Sequence, residues 1–295
     1  MWRRSSPSAC ARGNGDRSVL GGKGSAGYVA VCPAAFVSIR AFPIVPEFFT
    51  EPRLTLLSRP QFLEPAHLGV AWLGEATDGE KLAEFAGRLC YMSQRNPAGR
   101  STRDYLENIK KQGHGSVLEH ANYAILFDGV SRSLTHELVR HRAGFAYSQL
   151  SQRYVDESEA AFVVPPAMVG DVALETAWRA QIESAQAAYI HLVDELMQRY
   201  GWVADKVHRR KMAREAARGV LPNSTETKIV VTANARAWRT MLELRSGEAA
   251  ELEIRRLAVA ALRMLQVEAP AFFSDFEIYA AEDRREAARI GFHKV

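Results

Sequence analysis

Helical and strand periodicities follow one another in this chain without regular alternation. That order restricts the fold more than any single motif does. Apolar spacing near 3.6 marks helix and spacing of 2 marks strand. RLTLL (53–57) alternates as a strand does. EKLAEFAGRLCYMS (80–93) places Leu82, Phe85, Ala86 and Leu89 on one helical face. A second helix is expected from a Ser101 or Thr102 cap through TRDYLENIKKQ to Gly113. ANYAILFDG (121–129) reads as a strand. SRSLTHELVRHR (131–142) reads as a helix with Leu134, Leu138 and Val139 toward the core. YSQLSQRYV (147–155) returns to period 2. Helices are expected near 172–200 and 205–219, then a strand at 227–235 and two helices on either side of Ser246-Gly247. A doubly wound parallel sheet needs strands and helices in turn. This order predicts an α+β domain instead.

The 295 residues, 47% of them hydrophobic, suffice for a substantial core. No apolar run approaches the roughly 20 residues that span a bilayer, so no membrane association is expected. A net charge of +4 suggests a nucleic-acid binder at first sight. Its distribution argues otherwise. Residues 1–46 carry six arginines and lysines against Asp16 alone, and the rest carries 32 bases against 33 acids. No nucleic-acid partner is expected for a body so nearly neutral. Residues 1–50 are expected to form a disordered basic leader or to reflect a start placed too far upstream, in preference to a transit-type presequence, with one folded domain at 51–295. GKGSAG (22–27) fits GxGxxG, but YVAVCP follows it where a helix is required. Cys10, Cys32 and Cys90 show no paired spacing. A disulfide framework or thiolate zinc site is therefore not expected, and a reducing, cytoplasmic setting is.

HELVRH (136–141) nearly spells the zinc-protease motif HExxH. In that motif the two histidines share a helix face. Here Arg140 holds the second position, and His141 points roughly 140° away from His136. No metal is expected. Arg140, His141 and Arg142 can offset the carbonyls at a helix C-terminus. If the following segment is a strand, Tyr147, Gln149, Ser151 and Arg153 share one face. That face suits phosphate and a flat polar heterocycle. The stretch alone leaves a solvated basic turn and an anion site as alternatives. Arg218, Arg236 and Arg245 each sit beside small residues or turns, and Asn234 stands where strand character ends. In HGSVLEH (114–120), Ser116 and Glu119 fit the capping box S-x-x-E, which is the preferred local reading.

Together these segments resemble the flavin-dependent thymidylate synthases. The resemblance rests on Arg140-His141-Arg142 followed by Ser151 and Arg153-Tyr154. HGSVLEH precedes them and AREAARGVLPNSTETKIVVTANARAWRTMLELR follows, so about residues 53–277 are covered. It implies reductive methylation of dUMP to dTMP by a catalytic domain at 51–295. Methylenetetrahydrofolate would supply the carbon, FAD would carry carbon and hydride, and NADPH would be the reductant. It also implies an α/β fold in the broad sense, a mainly antiparallel central sheet packed with long helices, in a homotetramer with shared active sites.

By position, Ser116 is expected to contact FAD across a subunit boundary. Arg140, His141, Arg142, Gln149, Asn234, Arg236 and Thr240 are the other expected FAD contacts. Glu137, Leu138, Val139 and Arg140, then Gln149, Leu150, Ser151, Gln152 and Arg153, with Arg218 and Arg245, are expected at dUMP. The resemblance implies a catalytic role for Arg245, beside the uracil, favouring ionisation of N3. It also implies that His114 lies toward the folate. Ser151 is expected to bind phosphate, since no base is evident to activate it as a nucleophile. Two departures stand out. Eight residues, Ala143 to Leu150, separate RHR from Ser151 where the family pattern has seven, and the extra one falls within AGFA. Thr240 stands where Asn or His is frequent.

Overall fold

The computed structural model describes residues 46–293 and 295. The GKGSAG segment, Cys10, Cys32 and nearly all of the expected leader lie outside the described residues. In chain order the elements are β1 (Phe48–Phe49), β2 (Arg53–Ser58), α1 (Asp78–Leu89), α2 (Thr102–Lys111), β3 (Asn122–Ser131), α3 (Arg132–Leu138), β4 (Phe145–Gln149) and β5 (Phe162–Val163). Then come α4 (Val172–Arg199), α5 (Lys206–Ala217), β6 (Glu226–Asn234), α6 (Ala235–Arg245), α7 (Leu252–Glu268), α8 (Pro270–Phe273), β7 (Phe276–Ala280) and β8 (Glu286–Ile290).

The main sheet has the order β2-β3-β6-β4, and every neighbouring pair is antiparallel. The short β1 and β5 pair in parallel, and β7 with β8 forms a hairpin. The expected mixed class and antiparallel sheet are thus observed. Phe48 pairs with Phe162, so regular structure begins inside the last residues of the expected leader.

β6 shows why this sheet has one interior face. Ile229, Val231 and Ala233 alternate along it and are buried, while Lys228 is exposed. Ile125 and Phe127 of β3 join them in the core. α7 buries Ile254, Leu257, Ala258, Ala261, Leu262 and Leu265, spaced three and four apart as one helical stripe requires. α6 adds Trp238, Met241 and Leu242, and the Trp238 indole donates to Tyr123 O at 3.3 Å. Each large apolar side chain buried this way contributes about 1.5–3 kcal/mol. α6 is also fixed from behind. Arg239 donates to both oxygens of Asp275, at 2.7 and 2.9 Å, and Lys110 of α2 lies 2.8 Å from the same carboxylate. Burial pushes the Asp275 carboxyl up, but Arg239 and Lys110 outweigh it and hold the group at about 2.

Two local expectations need correction. α1 buries Gly79, Glu80, Ala83, Glu84, Gly87 and Arg88, not the stripe of Leu82, Phe85, Ala86 and Leu89. Its glycines permit close approach: a Cβ on Gly79 would stand 2.3 Å from the Tyr123 hydroxyl. Arg88 Nε and Glu84 Oε1 pair at 2.6 Å, which offsets part of the cost of burying both charges. Phe85 instead meets Phe62, with ring centroids 5.7 Å apart. α1 also stops at Leu89 rather than near Ser93, and Met92 takes a left-handed φ of 50°.

Candidate active site

α3 is only seven residues long. Ser131 caps it by accepting from Leu134 N, and Glu253 of α7 accepts from both Ser131 N (2.8 Å) and Ser131 Oγ (2.7 Å). The helix ends at Leu138, so Arg140, His141 and Arg142 lie beyond it rather than in its last turn. Val139 is exposed, against the expectation that it faces the core. The Tyr147 hydroxyl lies 2.9 Å from Leu138 O and 2.6 Å from His141 O and donates into that carbonyl pair. Burial pushes this phenol up, so it stays protonated as a donor. Arg140 and Arg142 present exposed side chains.

The last turn of α6 returns to this point. Arg245 donates from Nε to His141 Nε2 at 3.0 Å and from Nη1 to Glu137 at 2.7 Å. An imidazole nitrogen that accepts a hydrogen bond carries no proton. His141 is therefore neutral, with its proton on Nδ1. Burial, and then the Arg245 charge, hold its pKa below the usual 6.5. Three residues expected at the nucleotide or the flavin thus form one cluster across 104 and 108 positions of sequence.

Asn234 caps the other end of α6, its Oδ1 accepting from Ala237 N at 2.8 Å. Gly144 of the AGFA segment presses on this cap. Its φ is +76°, and a Cβ there would stand 2.7 Å from Asn234 Nδ2 and 2.9 Å from Ala237 Cβ. The turn after RHR is thereby held against the start of α6.

Arg236 pairs with Glu119 at 2.6 Å, and the Thr240 hydroxyl donates back to Arg236 O at 3.1 Å. The capping box expected at Ser116 does not form: Gly115–His120 is a 3₁₀ segment without a side-chain cap, and Glu119 is spent on Arg236. Ser116, His114, Arg236, Tyr91 and Tyr105 line a cavity of about 390 Å³. Arg236 and Thr240 are four apart and share a face of α6, whereas Arg245, nine after Arg236, points roughly 180° away. The cavity and the His141 cluster therefore sit on opposite sides of one helix.

The strand expected over 147–155 ends at Gln149, whose Nε2 lies 3.2 Å from Thr135 Oγ1 and 3.3 Å from Thr227 Oγ1. Ser151 to Val155 form a turn, so Ser151 and Arg153 do not extend the polar face of Tyr147 and Gln149. Ser151 Oγ accepts from Arg153 N at 3.4 Å, and Gln152 is buried. Arg132, which no sequence expectation included, donates to Leu150 O at 2.9 Å and lies 3.9 Å from Glu157. Its Nε is buried without a partner. Burial lowers its pKa, Glu157 opposes that shift, and the Arg218 charge adds to it. Two guanidiniums close enough to repel, one with an unpaired N–H, suit an anion. The sequence signal for Arg132 is an arginine at the first position of a helix, where it opposes the dipole.

Comparison with known proteins identifies the family of the chain. A family model described as "Thymidylate synthase complementing protein" matches residues 73–271. A flavin-dependent thymidylate synthase from Mycobacterium sp. (strain JLS) is 48% identical over 244 residues, covering 80% of this chain and 94% of that protein. The one from Mycobacterium tuberculosis (strain ATCC 25177 / H37Ra) is 47% identical over 238 residues, with the same coverage. Among solved structures, a UMP/dUMP methylase, PolB, from Streptomyces cacaoi bound with 5-Br dUMP shares the fold. Its TM-score is 0.57 at 21% identity, covering 77% of this chain and 95% of that one. This chain belongs to the flavin-dependent thymidylate synthase family.

Proposed function

We propose that the protein converts dUMP to dTMP, using methylenetetrahydrofolate as carbon donor and NADPH as reductant on a tightly bound FAD. The observation that carries this reading is the joining of Glu137, His141 and Arg245 into one cluster beside the RHR segment. FAD, when bound, supplies the one-carbon carrier and the hydride. The residues present fit such a group: the cavity offers the Ser116 hydroxyl, the His114 imidazole, the Arg236 guanidinium and two tyrosine rings. Arg140, His141, Arg142, Gln149, Asn234 and Thr240 complete the flavin side in this reading, and His114 lies toward the folate.

The nucleotide side is assigned to 137–140, 149–153, Arg218 and Arg245. Arg132 and Arg218 supply paired positive charge, and the Ser151 hydroxyl and Arg153 guanidinium bind the phosphate. Leu138 is fully buried, so that residue can serve only through its backbone. Arg245 is the catalytic cation. It stabilises the negative charge that develops on the uracil ring, and Glu137 and the neutral His141 aim it.

A homotetramer with shared sites accounts for two features. The cavity lined by Ser116, His114 and Arg236 and the cluster around Arg245 sit on opposite faces of α6, so in this reading each is completed by a neighbouring copy. α4, about 42 Å long, buries only Ile182, Gln186 and Tyr189, which leaves surface for a neighbouring copy and for a sheet packed between long helices. Residues 51–295 are the catalytic domain in this reading, and the setting is cytoplasmic. No helix among the described residues is long and apolar enough to cross a membrane.

The test is direct. Purified protein is loaded with FAD and incubated with dUMP, methylenetetrahydrofolate and NADPH, and dTMP is measured chromatographically. Production that stops when any one component is omitted supports the reading. A protein that takes up no flavin refutes it.

A further inference from the structure

Arg153, assigned above to the dUMP phosphate, already has a partner. Its Nε and Nη2 both meet Glu215 Oε2, each at 3.0 Å. Glu215 belongs to α5, whose neighbouring residues hold the same turn. Arg214 donates to Tyr154 O at 2.7 Å and to Asp156 at 2.8 Å, and Lys211 lies 5.2 Å from the Tyr154 ring centroid. Residues 211, 214 and 215 share one face of the helix. Lys211 and Arg214 fix the turn by its ring, a backbone carbonyl and Asp156. Glu215 does something else. Among the described residues its carboxylate's one hydrogen-bond and ion-pair partner is the guanidinium fork that an anion would need.

We infer that Glu215 is a resident competitor for the nucleotide phosphate: it fills the Arg153 fork until phosphate displaces it, and so sets dUMP affinity. The inference rests on the reading that Arg153 binds that phosphate. Carboxylate and phosphate present the same kind of oxygen acceptors to a guanidinium, so one replaces the other without new geometry. The pair is also easily broken. Its side chains are 39% and 47% exposed, and exposed pairs are held weakly. A phosphate, with more charge and more oxygens, displaces the carboxylate but loses affinity to the exchange. Glu215→Gln keeps the size and removes the charge, so dUMP should bind about two- to five-fold more tightly.

The experiment uses full-length, FAD-loaded enzyme as wild type, E215Q, R153A and the double variant. The dUMP Kd is measured by calorimetry, with KM and kcat from turnover, and deoxyuridine serves as the ligand without phosphate. The expected result is a lower Kd and KM for dUMP in E215Q with kcat unchanged. The gain should vanish in the R153A background and be absent for deoxyuridine. A merely structural Glu215 would give weaker binding, the opposite sign. Unchanged or weaker dUMP binding by E215Q overturns the inference, as does a gain that survives loss of Arg153 or appears with deoxyuridine. Wild-type enzyme that binds no dUMP overturns the functional reading and this inference together.

Discussion

Replacing Gly144 by alanine tests whether the turn after RHR is truly clamped onto α6. Two costs are expected. Gly144 has φ +76°, and a non-glycine residue there costs about 1–2 kcal/mol. The new methyl would also stand 2.7 Å from Asn234 Nδ2 and 2.9 Å from Ala237 Cβ. Asn234 cannot swing aside without giving up the α6 cap, so overpacking adds about 1–3 kcal/mol. Gly170 separates the two costs. It has φ +88°, but nothing lies within 4 Å of an added Cβ. Gly170→Ala should therefore show the backbone cost alone. The difference between the variants, about 1–3 kcal/mol, corresponds to roughly 2–12 °C in Tm for a domain of this size. Thermal unfolding followed by circular dichroism reads it. Gly144→Ala should also lose flavin absorbance after purification, because Asn234 and RHR move apart, while Gly170→Ala should keep it. Equal melting temperatures and equal flavin content in the two variants would show that the contact reasoning is wrong.

Three further predictions follow from the site. Arg245→Ala should lower kcat on the order of 100-fold or more while FAD stays bound, and near-normal turnover would remove Arg245 from the chemistry. Ser151→Ala should weaken dUMP binding roughly tenfold, whereas full affinity with no turnover would point to a covalent role for the hydroxyl. Glu157 is buried, and burial outweighs Arg132 to push its carboxyl from 4.5 up to about 7. The folded state then holds a proton that the unfolded state releases between these values. Stability falls as pH rises through that window, by up to about 3 kcal/mol. Glu157→Gln, which mimics the protonated form, should be the more stable protein at pH 8 by that order and should match wild type below pH 4.5. Denaturant titrations of both proteins at the two pH values decide it, and parallel curves at both would refute the assignment.

Several elements were legible because their signals are local. The strands β3 and β6 show in alternating branched and aromatic residues, and α6 and α7 in their apolar stripes. Ser101 and Asp171 cap helices as their residue types suggest. α1 was misread for the opposite reason. Its buried face is built of glycines and a charge pair, and only the packing of Tyr123 and Tyr105 against it makes glycine the better core residue there. The strand drawn through Ser151 and Arg153 failed similarly. Period 2 continues in the letters, but Arg132 and Arg214 seize the carbonyls of Leu150 and Tyr154 and bend the chain into a turn.

The sequence by itself determined the order of elements and the kind of ligand the site suits. Backbone periodicity and capping are short-range effects, and a guanidinium's preference for anions goes wherever the residue goes. Tertiary structure alone decided the pairings: Arg245 with Glu137 and His141, Arg153 with Glu215, Arg236 with Glu119, and Arg132 with Leu150 O. Charge interactions depend on separation and burial, and residues some 20 to more than 100 positions apart acquire both only when the sheet and α6 bring them together.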